Sequence, residues 1–121
     1  MLTANIIRRI ISTVIILDVQ MKRGILDGLV LSILKKGETY GYELTEKVSK
    51  VLDIADMTLY PILRRFEAQG YLSTYSTEYN GRLRKYYKIT DAGLKHLDKI
   101  SKEFLDVRDI IDMVMKRKES L

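Results

Sequence analysis

The side chains suited to chemistry are concentrated between positions 58 and 90. That stretch holds six Lys/Arg against two Asp/Glu, a net +4, while residues 1–57 (eight against seven) give +1 and residues 91–121 (seven against seven) give zero. The whole-chain charge of +5 therefore sits almost entirely on one segment of 121 residues. Tyr60, Tyr71, Tyr75, Tyr79, Tyr86 and Tyr87 are interleaved with Arg64, Arg65, Arg82, Arg84, Lys85 and Lys88. Local cations with hydroxyls and aromatic rings suit a polyanion, because Lys/Arg contacts release counterions from phosphates. The plainer alternative is a solvated basic surface. Other chemistry is excluded by what is missing. With no cysteine there is no disulfide or thiolate metal site, which favours a cytoplasmic setting, and the single His96 rules out a multi-histidine metal centre. There is no nucleophile–histidine–acid set, no Gly-rich phosphate loop and no metal-ligand spacing, so neither an enzyme nor a cofactor is expected.

Two elements must position these side chains. Leu59, Ile62, Leu63 and Phe66 fall at i, i+3, i+4 and i+7, one apolar stripe of a short helix. Proline is tolerated only in a first turn, where backbone N–H groups have no partner, so Pro61 favours a start with Thr58 as N-cap. Gly70 ends the helix. Pro61, Arg64 and Ala68 then point away from the stripe, flanked by Thr58, Tyr60 and Arg65. The second element is a hairpin. Asn80-Gly81 between two strand-like runs calls for a type I′ turn, which needs positive φ at both positions. A two-residue loop fixes the register. Glu78, Ser76, Thr74 and Leu72 face Leu83, Lys85, Tyr87 and Ile89 on a side that is apolar at its base. Tyr79, Thr77, Tyr75 and Ser73 face Arg82, Arg84, Tyr86 and Lys88 on the other. Tyr87 is therefore expected in the core.

Candidate contacts to a duplex follow. Arg64, pointing straight out, and Arg65 suit phosphates or guanine edges. Thr58, Tyr60 and Pro61 sit at the start of the helix, where side chains approach bases, and the Thr58 hydroxyl serves as a cap, a phosphate donor or both. Tyr42 either donates to phosphate or packs under the hairpin. Asn80, Arg82, Arg84 and Lys85 belong to the hairpin, with Asn80 also explained by the turn alone.

The rest of the chain supplies the frame. Ile6, Ile7, Ile10, Ile11, Val14 and Leu17 have helical spacing with Thr3 a possible cap. The Ile10–Leu17 run is far short of the ~20 residues a membrane span requires. Residues 1–20 read either as an added helix packed on the body or a partner, or as an extension before a start at Met21. Ile25 to Lys36 reads as a buried helix closed by Gly37. Thr39–Tyr42 is a connector able to add a strand to the hairpin, and Gly41 to Leu52 is the next helix. Two helices joined by a tight turn, the second basic, make a helix-turn-helix. Thr90 caps a last helix whose Leu97, Ile100, Phe104, Val107, Ile111 and Val114 are spaced 3, 4, 3, 4, 3, an a/d seam that must pack on its own domain or on a second chain, the second being favoured because so small a domain has little spare core to cover it. The fold class expected is mainly α with a small β-hairpin (α+β): an N-terminal extension over 1–20, a winged helix-turn-helix over 21–90 and a dimerisation helix over 91–121.

Gly41-Tyr42-Glu43-Leu44, Thr58-Leu59-Tyr60-Pro61-x-Leu63-Arg64-Arg65, Gly70-Tyr71-Leu72 and Arg84-Lys85-Tyr86-Tyr87-x-Ile89-Thr90-x-Ala92-Gly93 closely resemble the PadR family of transcriptional regulators, in its short form with a single C-terminal helix. The resemblance runs from about Met21 to Gly93. It implies a homodimer of winged helix-turn-helix domains on an inverted-repeat operator, repressor activity and release by a small effector. The chain departs from the family in residues 1–20, at Glu38 and at Met57. It has no tryptophan, so no aromatic drug pocket is carried over and the effector stays open. The rival class is a winged-helix module that binds protein and not DNA, against which the clustered cations argue.

Overall fold

The structure, a computed structural model, describes residues 3–52 and 56–120. It opens with α1 (Ala4–Lys36), a helix of 33 residues, roughly 50 Å long at 1.5 Å per residue. Thr3 Oγ1 accepts a hydrogen bond from the Ile6 N–H at 3.3 Å, as expected of the cap. The added helix and the 25–36 helix are thus one rod. No proline separates them, and a lone interior glycine such as Gly24 costs only about 1 kcal/mol. The side chains of Ile10, Ile11, Val14 and Leu17 lie outside the described ones. Further along, Leu26, Val30, Leu31 and Leu34 are buried.

A two-residue strand, β1 (Thr39–Tyr40), leads into α2 (Gly41–Ser49), which buries Leu44 and Val48. This helix stops short of Leu52. The Val51 and Leu52 N–H groups both close on the Val48 carbonyl, at 3.0 and 2.8 Å, and the chain leaves the helix there. Next comes α3 (Asp56–Ala68), with Leu59, Ile62, Leu63 and Phe66 in the core as the stripe predicts. Its start corrects the sequence reading. The helix begins at Asp56, so Thr58 is inside it and is not its cap. Pro61 lies inside as well and removes one i→i−4 donor. Pro61 is exposed on the outer side of the helix. Gly70, at φ 80°, ends the segment. Its N–H reaches the Glu67 carbonyl and that of Tyr71 reaches the Phe66 carbonyl, a Schellman closure.

The hairpin of β2 (Leu72–Tyr79) and β3 (Arg82–Ile89) pairs in the register read from sequence, all eight rows from Leu72↔Ile89 to Tyr79↔Arg82. Asn80 at φ 51° and Gly81 at φ 75° give the type I′ turn. The connector adds its strand to the far side, giving sheet order β1-β3-β2 with Thr39↔Tyr87 and Tyr40↔Tyr86. The row nearest the core buries Leu72, and Tyr87 is buried beside it.

Thr90 caps α4 (Asp91–Ser120): its Oγ1 accepts from the Gly93 N–H at 3.0 Å and its hydroxyl donates to the Gly70 carbonyl at 2.6 Å. That one hydroxyl ties the end of α3 to the start of α4. Gly93 is seated under the same turn, where a Cβ would lie 2.3 Å from the Tyr71 carbonyl oxygen. Farther along, α4 crosses α1 at two glycines. A Cβ on Gly28 would lie 3.3 Å from both Ile100 and Phe104, and one on Gly24 3.9 Å from Phe104.

This crossing revises half of the C-terminal seam. Ile100 is buried and Leu97 packs on the same core, so both face their own chain. The apolar residues beyond remain open, with Val107 45%, Ile111 47% and Val114 60% exposed. A heptad spacing specifies an apolar face, and α1 takes the first part of it because its glycines let the helices approach closely.

Candidate nucleic-acid interface

At 3.6 residues per turn each position on α3 is rotated by about 100° from the last. With Leu59, Ile62, Leu63 and Phe66 turned inward, the opposite face carries Pro61, Arg64 and Ala68, all exposed, with exposed Thr58 and half-buried Tyr60 beside them. Two charged contacts border this face, one on each side. On one, Arg65 Nη2 bridges both carboxylate oxygens of Asp27 on α1, at 2.7 and 2.9 Å. The Asp27 side chain is 12% exposed and that of Arg65 29%, and the guanidinium lies 4.9 Å from the Phe66 ring centre. On the other, Glu67 holds Thr74 of β2 and Lys85 of β3. Arg64 lies between the two and makes no salt bridge among the described residues.

The two arginines offered as candidate duplex contacts are therefore different in kind. Arg64 is presented to the outside, whereas Arg65 is held by a carboxylate 38 positions earlier in the chain. Lys85 has also been drawn in, at 3.2 Å from Glu67, on the strand face that looks toward α3. Asn80 and Arg82 stand exposed at the tip of the hairpin. Arg84 is half-buried, its guanidinium over the rings of Tyr79 (3.7 Å) and Tyr40 (4.2 Å). These rings hold the charge in one place and leave it desolvated on two faces. Tyr42 is exposed next to the start of α2, and a Cβ on Gly41 would lie 3.0 Å from the Tyr60 hydroxyl, so that hydroxyl rests on the first turn of α2.

The outer face of the sheet is an aromatic surface. Tyr75 stacks on Tyr86 at 5.2 Å, and Tyr40 meets Tyr86 edge-on at 5.6 Å. The neighbouring Glu38 carboxylate pushes the Tyr75 phenol up to about 12, since ionising it would place two negative charges together. We expect Glu38→Gln to bring Tyr75 back toward the ordinary tyrosine range. In ultraviolet titration the variant should gain phenolate absorbance between pH 10 and 12 that the parent lacks. An unchanged curve would dissociate Tyr75 from Glu38. In the core, burial raises the Tyr87 phenol as well.

Asp27, Glu38, Tyr40 and Glu67 escaped the sequence reading. Asp27 did give a signal, since an aspartate amid a buried run demands a partner. Among the described residues no group of His, Asp and Glu could hold a metal ion, and no helix is long and apolar enough to cross a membrane.

Comparison with known proteins agrees with this geometry. Residues 30–99 match the transcriptional regulator PadR-like family. Among solved structures, the chain is similar to smu.1704 from Streptococcus mutans, with 41% identity and TM-score 0.71 over 77% of this chain and 88% of the other. It is similar to a PadR-like transcriptional regulator from Bacillus cereus, with 31% identity and TM-score 0.72 over 80% and 97%. A PadR family transcriptional regulator from Eggerthella lenta aligns over 93% of this chain and 98% of its own, with 32% identity and TM-score 0.72. With its winged helix-turn-helix and the match over residues 30–99, the chain belongs to the PadR-like family of transcriptional regulators.

Proposed function

We propose that the protein is a sequence-specific repressor that binds duplex DNA as a homodimer and is released by a small effector. The observation that carries the reading is the outer face of α3, where Arg64 stands exposed beside Thr58, Tyr60 and Pro61 in a segment of net +4 (six Lys/Arg, two Asp/Glu). Two such helices would enter successive major grooves of an inverted repeat, roughly 34 Å apart. Asn80, Arg82 and Arg84 would grip the flanking backbone, with Tyr42 donating to phosphate at the start of α2. Arg65 and Lys85 would contribute through their partners more than by direct contact.

Dimerisation is supported by the distal part of α4, where Val107, Ile110, Ile111 and Val114 are exposed. An apolar strip of this kind needs a cover, and a second copy supplies the same strip in return. Leu97, Ile100 and Phe104 would stiffen the root of that arm against α1. Repression and effector release rest on family resemblance.

The test is selection of bound duplexes from a random pool by the purified protein, followed by mobility shifts. Arg64→Ala should weaken binding at least about 30-fold, since losing one good base contact in each of two subunits removes roughly 2 kcal/mol or more. Log affinity should fall linearly with log salt. A promoter carrying the selected site should fall silent when the protein is expressed. Binding that ignores both salt and Arg64 would sink the reading, and the winged-helix protein-binding module would take its place.

A further inference from the structure

Glu67 lies three residues after Arg64 on α3 and touches both strands of the wing. The Thr74 hydroxyl of β2 donates to its Oε1 at 3.3 Å, and Lys85 Nζ of β3 pairs with its Oε2 at 3.2 Å. Thr74 and Lys85 occupy adjacent rows of the sheet's inner face, Thr74↔Tyr87 and Ser76↔Lys85. Nearer the base, Leu72 and Tyr87 anchor the hairpin in the core. Farther out, in the rows Thr77↔Arg84, Glu78↔Leu83 and Tyr79↔Arg82, no hydrogen bond or salt bridge joins the hairpin to a helix among the described residues. Among the described residues Glu67 is therefore the last hydrogen-bonded tie from a helix to the wing, and farther out only the Arg84 guanidinium, resting on the Tyr40 ring at the N-cap of α2, approaches a helix.

The leverage is considerable. The tip extends some four residues past this tie, about 13 Å at 3.3 Å per residue. A tilt of roughly 10° at the base would move Arg82 by about 2 Å, more than a phosphate hydrogen bond tolerates. Because both strands are gripped by one carboxylate, hairpin twist and helix–wing angle are set together.

We infer that Glu67 is a positioning residue of the DNA interface, fixing the angle between α3 and the wing so that Arg64 and Arg82 engage one duplex at once. This inference rests on the duplex-binding reading above. Lys85 takes part through Glu67, and its pairing keeps it off the phosphates.

The experiment has a readout that does not require DNA. The chain has no native cysteine, so Ala68→Cys and Glu78→Cys supply the only thiols of a subunit for a pair of spin labels, one on α3 and one near the wing tip, and mixing with excess unlabelled protein leaves at most one labelled subunit in a dimer. The parent should give a narrow label-to-label distance distribution. Glu67→Ala should broaden it, and Glu67→Lys combined with Lys85→Glu should narrow it again. Glu67→Gln, which keeps an acceptor for Thr74 but loses the charge, should fall between. In hydroxyl-radical footprints on the selected duplex with the unlabelled protein, Glu67→Ala should keep protection of the half-site and lose that of the flanks. Its affinity should drop about tenfold and its salt slope by about one or two per subunit, the wing's share of phosphate contacts. A distribution and flank protection unchanged in Glu67→Ala, or a charge swap that restores neither, would overturn the inference. If the parent bound no duplex at any salt, the DNA reading would fail first. The spin labels would then still report whether Glu67 holds the wing.

Discussion

Gly93→Ala should destabilise the protein by about 3 kcal/mol, within the upper range for forced overpacking. A Cβ at this position would lie 2.3 Å from the Tyr71 carbonyl oxygen and 2.7 Å from Ile89 Cγ1. The first neighbour is backbone, fixed by its own bond from the Thr90 N–H at 3.0 Å, so it cannot swing aside as a side chain would. Relief requires lifting the start of α4 off the turn after α3. That would strain the Thr90 hydroxyl, which caps one helix and holds the other. For a domain of this size each kcal/mol is worth about 3–5 °C in Tm, so the expected drop is roughly 10–15 °C. Gly37→Ala is the control. A Cβ there meets nothing within 4 Å, at φ 166°, so its Tm should stay within a degree or two or rise slightly. Equal Tm values for the two variants would contradict the packing described for Gly93.

The second large effect separates two neighbouring arginines. Arg65→Ala should cost about 2–4 kcal/mol, because it leaves the Asp27 carboxylate mostly enclosed without its cation. Arg64→Ala should leave stability within about 0.5 kcal/mol, as expected of an exposed position, while weakening duplex binding. Denaturant unfolding with and without Asp27→Ala closes a double-mutant cycle. The double variant should recover part of the Arg65→Ala loss, since removing both partners leaves no unpaired charge. Arg65→Ala as stable as the parent would show that the ion pair contributes little.

The hairpin was fully legible because its rules are local. Asn80-Gly81 admits one turn type, a two-residue loop admits one register, and every strand pairing follows. The stripe on α3 was legible for the same reason, as was the Thr90 cap. The start of α3 was not: Thr58 has the chemistry of a cap and Pro61 argues for one, yet the helix takes in Asp56 and tolerates the donor that Pro61 removes. Tertiary roles were hidden throughout. Nothing near Arg65 in the sequence reveals an aspartate 38 positions away, and nothing near Glu67 reveals a lysine 18 positions on. The seam on α4 was correct as a pattern and silent about its neighbour. Periodicity reports that a face will be covered and leaves open by what.

The crossing at Gly24 and Gly28 has a mechanical consequence. Hydrogen is the smallest spacer available, and the Phe104 ring rests in the notch that the two glycines leave. Past that fulcrum α4 continues for another 16 residues, to Ser120, about 24 Å of boom. In a pair coupled tail to tail, thickening the notch by a single methyl would pry the booms apart and swing the two reading heads to a different stride. The preferred gap between half-operators would then be encoded far from any base, in an absent side chain.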